Sequence, residues 1–425
     1  MQNHELRQRA VAEMHLRRWP PVPVPCLIVQ WVLAGSEEVV SRAEQAIEAR
    51  AIALDSRQNP SHRSGSLAEG LRFSWERHSE GSSLAFFLSD AGEETFLDPH
   101  AHPDLEAALA WAQDLPGDIV RATRIWVARD DAEALRIMGL TDWNRDELVS
   151  SQVGGGTLRM WSDFRIRNDG FGRLLVAANG TDTRDLTRTL QRLQELGNYR
   201  NRALLGLPVA RECWPRLDEA ERRLRDLSDR VAHSTERDDA LLDALSDLSL
   251  DLAGISTAIG FRMDATKAYA QLVEERLDQL DAQPIQGFAS LDDFTQRRFR
   301  PAMNTCVATT ERVRELAIRA EQLSSLLRAR IDTRIENQNA DLLHSMDRSI
   351  SMQVRLQQLV EGLSVVALSY YLLGLVKMFL DGLPDGALPA SSKAIVGWLV
   401  IPTVVAVWLA MWAVKKRVLA DKREP

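Results

Sequence analysis

Several things are scarce in this chain of 425 residues, and each scarcity excludes something. There are only three cysteines, Cys26, Cys213 and Cys306, far apart and without a CxxC pair. That argues against a disulfide framework or a zinc knuckle and fits a reducing, cytoplasmic setting. Positive charge is in deficit, 52 Lys and Arg against 60 Asp and Glu, and a net charge of −8 argues against a nucleic-acid surface. No HExxH, nucleophile elbow or Walker sequence occurs. Gly154–Gly156 has no helix and lysine after it, so it reads as a hairpin turn and not a phosphate loop. The expectation is a chain with no catalytic residues, cofactor or metal of its own.

Charge is missing most completely near the end. Between Glu361 and Lys377 no charged residue occurs, and Ala394 to Val414 carries none at all. A helix needs about 20 apolar residues to cross a bilayer core, and both runs reach that length. The connecting DGLPDGALPASSK holds two glycines and two prolines and reads as a turn. The expected arrangement is a transmembrane hairpin: first span 359–380, external loop 381–393, second span 394–414 and basic tail 415–425. The tail KKRVLADKREP has five basic residues against two acidic, which places it in the cytoplasm. Two crossings then put the amino-terminal region there as well. Trp412 beside Lys415 reads as an interfacial anchor, and Pro402 as a mild kink. The polar members of the first span, Glu361, Ser369, Tyr370, Tyr371 and Lys377, are candidate functional groups because polar residues in a membrane are costly. Against that, Glu361 and Lys377 lie near the ends, where long side chains reach the interface.

The front of the chain divides into an N-terminal segment 1–24, an α/β domain 25–180 and a helical bundle and stalk 181–358. RRWPPVPVPCLIVQWVLAGS has a signal-like outline, but its prolines and Gln30 make a buried strand the better reading. Cys26–Leu33 is a strand. A helix follows, with Ser36 as cap and Glu37 and Glu38 in its first turn, running to about Leu54. QNPSHRSGS reads as a loop. Leu71–Ser79 and Ser82–Ser89 form a β-hairpin around Glu80-Gly81, Pro103 starts a helix, and Ile119–Ala128 is a strand. The order β-α-β-β-α-β is the split βαβ pattern. A short helix at Asp131–Met138 and three more strands, DELVSSQV, TLRMWSDFRI and GRLLVAA, extend it to a mixed sheet of six or seven strands.

From Thr183 the chain reads as helical. GLP at Gly206–Pro208 is the expected break, with a helix from about Pro215 to Val231 and another opening at Ser234. Leu241, Leu245, Leu248, Leu252, Ile255 and Ile259 make one apolar stripe of coiled-coil type. Ser290 with Asp293 resembles a capping box that restarts a helix near Leu291. No proline or glycine interrupts Ala302 to Glu361, a stretch that would be about 90 Å long as a helix. Its apolar positions, Leu316, Ala320, Leu323, Leu327, Ile331, Ile335, Leu342, Met346 and Ile350, are spaced more widely than the coiled-coil repeat of about 3.5. That favours a nearly straight stalk helix, packed on neighbours and continuing into the first span, with a homo-oligomer formed through the stalks. Glu336, Asn339 and His344 would set helix register or line a central pore, with ordinary inter-helix hydrogen bonds as the plainer reading.

Elsewhere, Glu76, His78 and Glu80 alternate, so on a strand they share one face. They form a candidate binding face, with a solvent-facing strand as the plainer reading; Phe73 and Trp75 alternate likewise. His100, His102 and Asp104 could ligate a metal but sit among prolines in a turn-like segment. Asp163, Arg165, Arg167 and Asp169 also alternate and read as Arg–Asp pairs across the sheet.

The stretches LRFSWERHSE (Leu71–Glu80), SDFRIRNDGFGRLLV (Ser162–Val176), YRNRALLGLPVAR (Tyr199–Arg211), RRFRPAMNTC (Arg297–Cys306) and the long run Ile335–Val376 carry a resemblance. Nearly the whole chain resembles the bacterial family catalogued as domain of unknown function 3422, described as predicted membrane-anchored proteins. The amino-terminal MHLRRWPP departs from that family's His-Ala-Arg-Pro-like segment, keeping His15 and Arg17 in looser form. The resemblance assigns no catalytic residues. It implies a membrane-anchored protein; the basic tail adds that it faces the cytoplasm, the stalk that its partners beyond the lipid bilayer are further copies of itself, and the negative net charge that no nucleic acid is among them. The plan of α/β domain, stalk, two spans and basic tail is also similar to that of CorA-type magnesium channels. Their Gly-Met-Asn signature is absent from GLVKMFLDG (Gly374–Gly382). A CorA-like cation channel or transporter is therefore the alternative to a binding, scaffolding or regulatory protein. An enzyme working on the Glu76–His78–Glu80 face is a more distant third.

Overall fold

A computed structural model describes residues 3–14, 17–55, 59–233, 236–382 and 391–420. The chain forms two compact units, residues 1–324 and 325–425.

The first unit opens with α1 (Arg7–Glu13), then β1 (Cys26–Ala34), α2 (Glu37–Arg50), β2 (Ala53–Leu54), β3 (His62–Ala68), β4 (Leu71–His78) and β5 (Gly81–Ser89). There follow α3 (Glu93–Leu97), α4 (Pro103–Gln113), β6 (Asp118–Ala128), α5 (Asp131–Gly139), β7 (Val149–Val153), β8 (Leu158–Ser162) and β9 (Gly172–Ala177). After three long helices, α6 (Thr183–Leu204), α7 (Gly206–His233) and α8 (Asp238–Leu280), comes β10 (Gln283–Pro284). The chain then enters α9 (Leu291–Phe294), a π-helical turn over Thr295–Phe299, and α10 (Arg300–Asp381), which runs unbroken through Gly362.

The ten strands among the described residues join one mixed sheet, ordered β10-β7-β8-β9-β6-β1-β5-β4-β3-β2. Among the described residues β6 and β9 are the one pair of strands that runs parallel, with an isolated parallel bridge between Val149 and Ala289. At its centre β1 lies between β6 and β5, antiparallel to both, with β4 beyond β5. That order is the split βαβ arrangement expected from the sequence. The Leu71–Ser89 hairpin is present, its strands paired from Leu71↔Leu88 to His78↔Gly81. Three strands exceed the expected six or seven. QNPSHRSGS is not all loop, because β3 begins at His62. The first domain helix ends at Arg50, short of Leu54, which lies in β2. TLRMWSDFRI is strand only to Ser162.

Strand alternation gives the sheet two different faces. Leu27, Val29, Trp31 and Leu33 of β1, Phe73 and Trp75 of β4, and Phe86 of β5 pack into an apolar core with Val40, Ile47, Phe96, Leu105, Ala108 and Ile137 from α2 to α5. The residues between them, including Gln30, Glu76 and His78, point to the opposite face. There α6 lies across the sheet, with Gln194 and Asn198 bonded to Arg121 of β6.

Helix α6 ends at Leu204, and Gly206–Pro208 falls in the first turn of α7, where a proline is tolerated. Pro215 lies inside α7 and does not start a helix. The opening of the next helix at Ser234 falls outside the described residues; α8 begins at Asp238. The α8 stripe Leu241, Leu245, Leu248, Leu252, Ile255 and Ile259 is buried, and α8 packs against both α6 and α7. Ser290 Oγ accepts from the Asp293 amide, the cap expected of it. The start of α10 is tied to α7 by Trp214 Nε1 donating to Thr309 Oγ1 (3.0 Å) and by Arg312 pairing with Asp218 and Glu221.

The second unit consists of the remainder of α10 and α11 (Ser392–Ala420). Each contains a stretch long and apolar enough to cross a membrane. Lys415 of α11 pairs with Glu361 of α10 at 2.8 Å. Most of the expected external loop 381–393, and the tail beyond Ala420, lie outside the described residues.

Candidate functional site

The face under α6 holds the most unusual chemistry of the first unit: a layer of polar and charged groups where apolar packing would be ordinary. Its first cluster surrounds the alternating residues of β4. Glu76 and His78 share this face, opposite Phe73 and Trp75. Glu80 lies beyond the strand end, in the turn before β5, so the three do not form one row.

Each of the three has a partner. Arg17 bridges Glu76 (3.0 Å) and Glu13 (2.7 Å). Its neighbour His15 lies outside the described residues. His78 Nε2 meets Ser83 Oγ at 3.1 Å. Arg262 of α8 pairs with the Glu80 carboxylate, and Arg202 of α6 donates to the Glu80 and Leu33 carbonyls. Tyr199 and Tyr269 stack at 6.1 Å, and Arg276 bonds Glu195 at 2.6 Å. Burial pushes the Glu76 carboxyl above the usual range, with Arg17 opposing it. Burial, reinforced by Arg202 and Arg17, pushes the His78 imidazolium down to about 3. His78 is therefore neutral at neutral pH.

The second cluster lies along the same face, beneath α6 toward β8 and β9. A cavity of about 100 Å³ is lined by Arg121, Arg165, Arg173 and Arg200, with Gln194 and Phe164 among its polar and aromatic walls. No Asp or Glu lines it. Arg121 Nη1 donates to Gln194 Oε1 and Asn198 Oδ1, both at 2.7 Å, and to Gln30 Oε1 at 3.4 Å. Gly197 makes room for this guanidinium: a Cβ there would lie 2.7 Å from Arg121 Cζ. Arg200 is 7% exposed, its guanidinium 4.4 Å from the Phe164 ring centroid and 5.5 Å from that of Phe294. Phe164 holds this position with φ at 51°, in the left-handed region that a non-glycine residue adopts at a cost. Burial lowers Arg121 to about 9 and Arg200 to about 10, Arg121 being further depressed by Arg200.

Asp163, Arg165, Arg167 and Asp169 are not paired across strands. They occupy the loop between β8 and β9, where Arg167 pairs with Asp163 (2.5 Å) and Asp142 (2.8 Å), and Arg165 with Glu147 (2.7 Å). Asp169 takes Arg124 at 3.0 Å and Arg173 at 3.8 Å. The chain leaves the strand after Ser162, so alternation no longer decides orientation. His102 caps α4 through Nδ1, accepting from the Leu105 amide, while His100 faces Glu106 at 3.5 Å. Among the described residues no group of His, Cys, Asp and Glu has the arrangement of a metal site.

In the second unit, Ser369 is buried with its Oγ unpartnered, whereas Tyr370, Tyr371 and Lys377 are exposed. Glu336, Asn339 and His344 are exposed on α10.

Sequence reading missed Arg121 and Arg200. One signal was available for the latter: Leu186, Leu190, Leu193, Gly197 and Arg200 follow one another at alternating steps of four and three, so an arginine stands in the buried stripe of α6.

No curated protein and no solved structure matches the chain. A family model described as protein of unknown function (DUF3422) matches residues 2–418, nearly its whole length. The polar layer under α6, the long helix and the two apolar stretches are thus features of a member of the DUF3422 family.

Proposed function

We propose that this protein is anchored in the bacterial inner membrane by a two-helix hairpin and acts there as a non-enzymatic binding, scaffolding or regulatory protein facing the cytoplasm. The observation that carries this reading is the apolar surface of the second unit. Leu363, Val366, Phe379, Trp398 and Ile401 are all exposed along its two long helices. An apolar surface of this extent is stable only when something covers it, and a bilayer covers the full circumference of both helices. The Glu361–Lys415 pair fits a hairpin, since it joins the start of the first apolar run to the end of the second. The excess of basic residues after the second apolar run supports a cytoplasmic position for both termini. The Arg17–Glu76 and Arg262–Glu80 pairs fit a structural role for the β4 face better than a catalytic one.

A second reading, a CorA-like cation channel or transporter, has its own observation. Ile335, Leu342, Met346 and Ile350 of α10 are exposed in the single chain. Covered by copies of the same helix, they would form the stalk of a homo-oligomer of coiled-coil type, with Glu336, Asn339 and His344 nearby.

Cysteine accessibility tests the anchoring. The native cysteines are buried, so single cysteines placed in the 381–393 loop and the 415–425 tail report alone. Labelling of the loop from the periplasmic side, and of the tail only after permeabilisation, is expected. A chain released from membranes by alkaline carbonate would overturn the proposal. Native mass spectrometry in mild detergent separates the two readings. A closed ring of subunits supports the channel, and a monomer removes it.

A further inference from the structure

We propose that the arginine-lined cavity beneath α6 binds a small anion bearing a phosphate or carboxylate group. By solvent exposure four arginines besides the half-buried Arg121 are buried among the described residues of this chain, and three of them donate to oxygen acceptors. Arg63 meets Glu44 and Glu48, Arg124 meets Asp169 and the Phe96 carbonyl, and Arg202 meets the Glu80 and Leu33 carbonyls. Arg200 is the exception. Among the described residues no carboxylate, carbonyl or hydroxyl accepts from it; it has only the Phe164 and Phe294 rings. Rings stabilise a guanidinium over its flat face and leave its N–H edges free. Those edges form the planar fork that grips carboxylate and phosphate oxygens in pairs.

Three further observations point the same way. Arg121 carries a second cation into the cavity, and its acceptors are neutral amide oxygens, all on Nη1. Like charges brought together in a poorly solvated space repel, and an anion between them removes the repulsion. Gln194 Nε2 and Arg173 Nε are buried without acceptors, so donors as well as charge are left over at the walls. No acid lines the cavity, and although Arg165 pairs with Glu147 and Arg173 with Asp142 and Asp169 behind its wall, Arg121 and Arg200 have no carboxylate partner among the described residues, a local excess of positive charge in a chain of net charge −8. Its size, about 100 Å³, suits a phosphate group or a small organic acid and is too small for a nucleotide. Arg165, more exposed than the others, stands at the rim.

The inference goes beyond the membrane reading and does not depend on it. A chain released from membranes would still hold the cavity, and an inert cavity would leave the anchoring untouched. The test uses the full chain in a non-ionic detergent and chloride buffer. Unfolding midpoints and calorimetric titrations are recorded with inorganic phosphate, pyrophosphate or succinate, each against potassium chloride at equal ionic strength. At least one of the anions should raise the midpoint saturably, beyond the chloride control. Response to the phosphates alone identifies a phosphoryl ligand, and response to succinate alone a carboxylate. Arg200→Met should keep or raise the midpoint without anion, since it removes a buried cation, and weaken anion binding at least about tenfold. No response of the natural chain to any of the three at millimolar concentration would overturn the proposal, as would an Arg200→Met protein that binds as before. Should Arg200→Met fail to fold, Gln194→Leu takes its place: undiminished anion binding in that variant would count against the site, and weakened binding would support it.

Discussion

Acidification should destabilise the first unit through His78, and the size of the effect follows from its surroundings. The imidazole sits between β4 and α6, bonded to Ser83 Oγ. Arg17 and Arg202 bring positive charge to it, Glu76 and Glu195 bring negative charge, and Tyr199 and Tyr269 line the same space. Burial comes first in holding the folded-state value down to about 3, with Arg202 and Arg17 next. The unfolded chain binds the proton at about pH 6.5. The folded form therefore binds fewer protons than the unfolded one between those two values, and stability falls as pH drops through 6.5. From pH 7 to pH 5 the loss from this one group is about 2 kcal/mol, a factor of about 30 in the unfolding equilibrium. Glu76 works in the opposite direction: its raised carboxyl value means that acidification relieves a cost. A comparison with His78→Gln, which keeps a hydrogen bond to Ser83 and removes the titration, isolates the histidine. Denaturant unfolding of both proteins at pH 7 and pH 5 should show the natural chain losing about 2 kcal/mol more than the variant. Equal losses in the two would refute the reasoning.

Other outcomes follow from packing and charge. Gly81→Ala should cost at least about 2 kcal/mol, because φ there is 143° and the added Cβ would run into the Leu33 carbonyl oxygen; denaturant midpoints will show it. Phe96→Ala should cost about 3–5 kcal/mol, since the ring is wholly buried beside Trp126, and a loss below about 1 kcal/mol would contradict the assigned core. Glu361→Lys and Lys415→Glu should each lower the midpoint in a fixed detergent and restore it when combined, a double-mutant cycle worth up to about 1 kcal/mol for this partly exposed pair.

The split βαβ order, the β4–β5 hairpin, the buried stripe of α8 and the Ser290 cap were legible because each rests on a local rule of alternation, helical spacing or capping. What escaped rests on contacts between distant segments. The inward-facing positions of β3 include Arg63 and Gly65, so no apolar alternation marks it as a strand. Arg63 is buried because Glu44 and Glu48, on α2, turn toward it. The stretch after Ser162 keeps its alternation in sequence and loses it in space, which undid the cross-strand pairing of Asp163 through Asp169. In the same way, the Glu76–His78–Glu80 row was legible only as far as the strand lasts. Arg200 was hidden by its charge, since an arginine in a helical sequence reads as solvent-facing until its register with Leu186, Leu190 and Leu193 is noticed.

The two-residue strand β10 has a consequence for how this protein is made. It pairs with β7 from a point after all three long helices, Gln283 against Gln152 and Pro284 against Ser151. Nearby, the Leu291 amide donates to Ser151 Oγ and the Ser150 amide to the Ala289 carbonyl. Until that part of the chain leaves the ribosome, β7 is a bare edge, able to pair with another nascent copy. The sheet face under α6 waits for the same reason. A fragment ending near residue 180 should thus collect in inclusion bodies, whereas one extended to Ser324 should stay in solution; translation across the helices is a vulnerable interval in which a holdase would find its work.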